Sequence, residues 1–164
     1  MPKLRDPAET LLVVEARDFG GDLLLKEVQA RVVAVLRMAE ALSPKYHVVV
    51  ANPPYMGGKG MNGKLVNWAK EHYPNHYSDL MTCFMHRASL LCVESGKWGM
   101  INLPSWMFLS SFEGTRHQLV DNQTIESLLQ LGRGIFGSDF GSVAFVVSRK
   151  PHLPWHKVIY RRLF

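Results

Sequence analysis

The chain has 164 residues, 47% of them apolar, with 19 Lys and Arg against 14 Asp and Glu and a formal net charge of +5 at pH 7. That apolar share can build one domain's core and excludes a disordered polyelectrolyte, while the basic balance suits a polyanionic partner or an ordinary soluble surface equally. No apolar run approaches the ~20 residues of a membrane span, and no charged stretch followed by an apolar core opens the chain, so neither export nor membrane embedding is expected.

Met1 to Gly21 is mixed, with Leu11–Val14 readable as strand or helix turn between Pro7 and Gly20-Gly21. From Asp22 to Leu42, apolar Leu24, Leu25, Val28, Val32, Val35, Leu36 and Ala39 alternate with charges at helical spacing. The pattern predicts an amphipathic helix capped by Asp22 and stopped at Ser43-Pro44. Tyr46–Ala51 is a short β-branched run that reads as a strand buried on both faces. Met56 to Tyr77 carries four glycines with Lys and His, and is long for a loop; a lid, partly helical around Leu65 to Lys70, is expected. Ser78 is the expected cap of a helix to about Glu94, with Leu80, Phe84, Ala88, Leu91 and Cys92 as its apolar stripe and Gly96 as its stop. Trp98 to Leu103 reads as a buried strand halted by Pro104, Ser110 or Ser111 as the cap of a helix through Val120, and Ile125–Leu131 with Gly141–Ser148 as an antiparallel pair. The sum is an α/β chain: the later, C-terminal half of a doubly wound sheet ending in an antiparallel hairpin, with 1–21 poorly defined, 22–150 the core and 151–164 the start of a following region.

Cys83 and Cys92 stand nine positions apart in the expected helix, about 13 Å at ~1.5 Å per residue. That is too far for a disulfide, so both are expected reduced, as in a cytoplasmic protein.

Directly after the first strand come Asn52-Pro53-Pro54-Tyr55. In open α/β sheets, ligands bind beyond the carboxyl ends of the strands. Two prolines fix two φ angles and remove two N–H donors, so the Asn52 side chain and the Pro53 carbonyl become a rigid pair of acceptors. An acceptor pair beside an aromatic ring suits a planar base carrying an exocyclic NH₂. The bland reading of the same four residues is a polar turn leaving a strand.

Strand, Asn-Pro-Pro-Tyr, Gly-rich loop and a helix opening at Asp79 resemble the DNA methyltransferases that act on N6 of adenine. Lys45–Gly57 and Ser105–Phe112 resemble the large phage-exclusion (BREX) methyltransferases of the PglX type, and the likeness runs from about Asp18 to Lys150. The resemblance implies a Rossmann-like fold, S-adenosyl-L-methionine as cofactor, double-stranded DNA and other phage-defence proteins as partners, and a role in phage defence or restriction-modification. It makes Asn52, Pro53, Pro54 and Tyr55 the catalytic turn, Tyr55 and Phe136 the contacts to a base flipped out of the duplex, and Asp79 a cofactor contact. The residues leave alternatives open: Asp79 reads equally as a charge complementing a helix dipole, Phe136 as a core residue, and Trp106 and Phe108 as core or rim. Lys59, Lys64 and Arg133 are candidate DNA-phosphate contacts. The family's cofactor loop, upstream of Asn-Pro-Pro-Tyr, and its target-recognition region have no counterpart in these residues. A fragment of a larger enzyme, or a truncated gene product, is therefore expected, inactive by itself. The other functional readings are a nucleic-acid-binding remnant without catalysis and an amino-methyltransferase acting on RNA or protein glutamine.

Two motif matches are refused. Gly132–Gly137 spells G-x-G-x-x-G but precedes a strand, and Gly58–Lys64 lacks the Ser or Thr of a P-loop, having Leu65 there. His72/His76 and His152/His156 have metal-pair spacing, yet Pro74 and Pro154 interrupt the helix such pairs need; surface histidines and no metal site are expected.

Overall fold

The computed structural model describes residues 6–135 and 140–164, and the chain divides into two compact units, Met1–Lys45 and Tyr46–Phe164. In the first, Asp6 caps helix α1 (Pro7–Glu15) by accepting the Ala8 N–H, which settles Leu11–Val14 as helix. Asp22 caps α2 (Leu23–Ala41) as read, accepting the Leu25 N–H at 3.1 Å. Gln29 ties the pair, its Nε2 donating to the carbonyls of Val14 at 2.7 Å and Arg17 at 2.9 Å.

The second unit is built on a five-stranded sheet: β1 (Tyr46–Ala51), β2 (Cys92–Asn102), β3 (Thr124–Leu131), β4 (Ser142–Ser148) and β5 (Ile159–Arg162), in the order β1-β2-β4-β3-β5. β1 runs parallel to β2 and β3 parallel to β5, while β4 is antiparallel to both its neighbours. The expected hairpin is present, but it does not close the sheet. β4 inserts between β2 and β3, and residues 151–164, read as the start of a following region, supply the edge strand β5. Four exposed residues, two of them Arg, give β5 neither an apolar run nor an alternation to announce it.

β1 departs from the reading of a strand buried on both faces. Val49 and Ala51 pack on the core, whereas Val48 and Val50 are 66% and 77% exposed. Helices α4 (Leu80–Leu91) and α5 (Glu113–Asn122) lie on the covered face, where Trp98, Met100, Phe145 and Val147 form the core with Met81 and Met85. Phe145 organises it: Trp98 meets it edge-on at 5.5 Å and Trp106 at 5.1 Å between centroids.

Helix α4 starts one residue later than expected, because Asp79 rather than Ser78 is its cap. It ends at Leu91 and turns directly into β2. Gly96 therefore lies inside β2, where a Cβ would stand 3.0 Å from the carbonyl oxygens of Tyr46, His47 and Val93. The buried stripe is Met81, Met85 and Ala88, and Phe84 is 42% exposed; two apolar stripes one residue apart fit the same sequence, and the cap selects between them. Ser110 and Ser111 fall in a 3₁₀ turn and do not cap α5. Arg116 instead donates to the carbonyls of Trp106 at 3.0 Å and Leu109 at 2.6 Å, holding the Pro104–Phe112 segment against α5. The strand directions bring the carboxyl ends of β1, β2 and β3 to one end of the sheet.

Candidate active site

At that end β1 releases Asn52, which is exposed, then buried Pro53, exposed Pro54 and half-buried Tyr55. The Tyr55 hydroxyl donates to the Ile101 carbonyl on β2 at 3.0 Å and lies 3.3 Å from Asn52 Oδ1. Burial pushes the phenol pKa up, so it stays a donor. One hydroxyl thus clasps the first and last residues of the turn to the neighbouring strand. An amide oxygen has two lone pairs, so Asn52 Oδ1 keeps one to offer, and among the described residues no hydrogen bond falls on the Pro53 carbonyl.

Asp79 braces the turn from behind. Its Oδ1 accepts the N–H of Met56 at 3.0 Å and of Met81 at 2.9 Å, and Leu80 returns an N–H to the Met56 carbonyl at 3.0 Å. The carboxyl is buried, which raises its pKa, with the two N–H bonds opposing the rise. Its other oxygen faces Gly57, where a Cβ would come into van der Waals contact with it at 3.5 Å.

The Met56–Tyr77 stretch contains a longer helix than expected, α3 (Gly63–His72), capped by Asn62 on the Leu65 N–H at 2.9 Å. Lys59 and Lys64 stand exposed on it, and Arg133 is exposed beyond β3. Trp106 is a core residue and Phe108, 66% exposed, a rim residue. Phe136 lies outside the described residues.

His76 corrects the expectation of surface histidines. It is 5% exposed, with Nδ1 3.0 Å from Thr115 Oγ1, Nε2 2.6 Å from Gln118 Oε1, and its ring stacked on His86 at 4.6 Å. Burial is the main reason its pKa falls to about 4. His72, after which Pro74 breaks the chain, is exposed and contacts its own helix at the Trp68 carbonyl. His156, half-buried, reaches the Ile125 carbonyl at 2.9 Å. The two cysteines are buried thiols. The sequence reading also missed the Ile101 carbonyl, which no side-chain pattern announces, and a group of buried polar atoms without partners among the described residues: both ends of the Asn102 amide, Trp106 Nε1 and Ser142 Oγ.

Known proteins resemble this chain in sequence and in fold. The chain is 42% identical over 147 residues to adenine-specific methyltransferase BrxX of Escherichia coli O9:H4 (strain HS), an alignment covering 87% of this chain and 12% of that protein. Adenine-specific methyltransferase PglX of Lacticaseibacillus casei (strain Zhang) is 38% identical over 120 residues, covering 71% of this chain and 10% of that protein. The chain therefore spans only about a tenth of the length of these relatives. A structure from Listeria monocytogenes assigned to the class I S-adenosylmethionine-dependent methyltransferases superposes with a TM-score of 0.57 at 17% identity, covering 82% of this chain and 45% of that one; it has the same fold. The family model described as Eco57I restriction-modification methylase matches residues 21–136. On that match and those identities, the chain belongs to the Eco57I restriction-modification methylase family.

Proposed function

We propose that this chain carries the amine-acceptor site of an adenine-specific DNA methyltransferase, which transfers a methyl group to adenine N6 in phage defence or restriction-modification. The observation that carries the reading is the Asn52–Tyr55 turn, held from β2 by the Ile101 carbonyl and from α4 by Asp79, with acceptor capacity left on Asn52 Oδ1 and, among the described residues, on the Pro53 carbonyl. Adenine N6 is a weak nucleophile because its lone pair is delocalised into the ring. Acceptors on both of its hydrogens, Asn52 Oδ1 and the Pro53 carbonyl, favour the pyramidal amine whose lone pair is available, and they are in place before the base arrives. Tyr55 stacks on the base once it leaves the duplex, with Phe136 as the second aromatic contact.

S-adenosyl-L-methionine, when bound, supplies the electrophilic methyl group. The residues present fit it at one point: the Asp79 oxygen not committed to Met56 and Met81 lies beside Gly57, where no side chain stands between it and a bound group. Among the described residues no hydrogen bond or ion pair engages the side chains of Lys59, Lys64 or Arg133, and they take DNA phosphates. The binding they give is sequence-independent and weakens steeply with salt. Double-stranded DNA, and other phage-defence proteins, are the partners on this reading, and the cytoplasm is the setting.

The test is Asn52→Ala in a methylation-competent protein containing this chain. Methyl incorporation should be abolished with DNA binding retained, because the lost interaction is realised chiefly as the amine rehybridises. Near-normal incorporation would end the proposal.

A further inference from the structure

We infer that a cleft at the carboxyl end of β3 is a second nucleobase subsite, seating one unpaired base other than the one methylated. The inference rests on DNA being the partner, and adds to that reading a place on the strand the turn does not touch. The cleft has a volume of about 620 Å³, within the range of sites that enclose small organic groups. Three aromatic side chains on its walls, Phe108, Phe140 and Phe164, are 66%, 80% and 70% exposed. Rings left this open in one concavity offer stacking faces to a planar ligand. The floor carries Ser142, which is 1% exposed and whose hydroxyl has no partner among the described residues. A buried hydroxyl left unpaired is costly, and one lining an open cleft is satisfied by a ligand's polar edge. Arg133 stands on the wall, and the guanidinium of Arg162 lies 5.5 Å from the Phe164 ring, so positive charge borders the aromatic faces.

Aromatic faces, flanking cations and one hydroxyl match a nucleotide of a single strand, with the base on the rings and the phosphate toward the arginines. A hydroxyl serves as donor or acceptor to any base, so the subsite tolerates different bases. When one base leaves the duplex, its neighbours lose a stacking partner. A seat at the same end of the sheet as Asn52 replaces that stacking for a neighbouring base.

The experiment measures anisotropy of two labelled probes binding to the chain at low salt, a dT decamer and a decamer of the same length with abasic sugars. Phe108→Ala should weaken dT binding by about 5- to 150-fold, the equivalent of one stacked base. Ser142→Ala should weaken it by about 2- to 12-fold, one net hydrogen bond. Phe108→Tyr should bind as the unaltered chain does, and all three should match it on the abasic probe. Denaturant midpoints identify a variant that has lost its fold, and Phe108→Tyr and Ser142→Ala keep the question answerable if Phe108→Ala is one. Unchanged dT affinity in Phe108→Ala, or equal weakening on both probes, overturns the subsite while leaving DNA as the partner. Failure of the unaltered chain to bind either probe or duplex DNA overturns both readings.

Discussion

Replacing Asp79 by Ala should do two separable kinds of damage, because one carboxylate oxygen holds two backbone donors on different elements. Loss of the α4 cap costs ~0.5–2 kcal/mol. Leaving the part-buried Met56 N–H unpaired costs a further ~1–3 kcal/mol. The sum, about 1.5–5 kcal/mol, is a large fraction of the ~5–15 kcal/mol that stabilises a typical domain. Asp79→Asn keeps an oxygen in the same place and should preserve both bonds. The pH dependence carries a sign: burial holds the folded pKa of Asp79 above its unfolded value. Its favourable contribution is therefore complete below the unfolded pKa and is lost as pH rises through the folded one. At neutral pH the Asn variant should be as stable as the unaltered chain or more so, the two converging in acid. Because Met56 follows Tyr55, the Ala variant should also lose more methyl transfer than the Asn variant. Denaturant midpoints between pH 4 and 8, with methyl incorporation alongside, make the measurement. An Ala variant as stable and active as the parent, or an Asn variant as damaged as the Ala one, would refute the bracing role.

Tyr55→Phe should retain most methyl transfer, losing the hydroxyl clasp on Ile101, worth ~0.5–1.5 kcal/mol, whereas Tyr55→Ala should lose a further ~1–3 kcal/mol of base stacking; equal rates in the two would remove stacking from the mechanism. His76, held neutral to about pH 4 by burial, contributes stability that is present above its unfolded pKa and lost as pH falls through the folded one; His86, stacked on it, is lowered in the same direction. His76→Gln should therefore flatten the fall in denaturant midpoint from pH 6.5 toward pH 4, and an acid limb as steep as the parent's would exclude His76 as its source.

What could be read from sequence was what short stretches encode by themselves. Asn52–Tyr55 was legible because two prolines after a β-branched run dictate backbone geometry locally, and Asp22 because a cap needs only its own first turn. The illegible features depend on distant partners. Tyr55 is clasped by a carbonyl 46 positions on, and Asp79 reaches back 23 positions to Met56. His76 is buried among distant partners: Thr115 and Gln118 of α5, 39 and 42 positions away, hydrogen-bond its two ring nitrogens, and His86 stacks on its ring. No local pattern distinguishes such a histidine from a surface one. The phase of α4 failed for a related reason: two stripes one residue apart were equally apolar, and the choice lay in a hydrogen bond to another loop.

The distribution of these long-range bonds divides the site's labour. Residues 52 to 57 are tied to β2 through Ile101 and to α4 through Asp79 and Leu80, and both elements are anchored in the core by Trp98, Met100, Met81 and Met85. On the proposed methyl-transfer reading, acceptors fixed in this way need no reorganisation as charge develops on the amine, which is where a preorganised site gains over water. The Lys59 turn is held differently, by the Gly60 N–H on the Gly57 carbonyl at 2.8 Å, and Lys64 lies in the first turn of an exposed helix. Contacts there are of the kind that grip a phosphate equally before and during reaction. On the proposed reading such contacts lower KM without raising kcat, whereas changes at Asn52, Tyr55 or Asp79 should reach kcat, because they strike interactions whose value lies in the transition state.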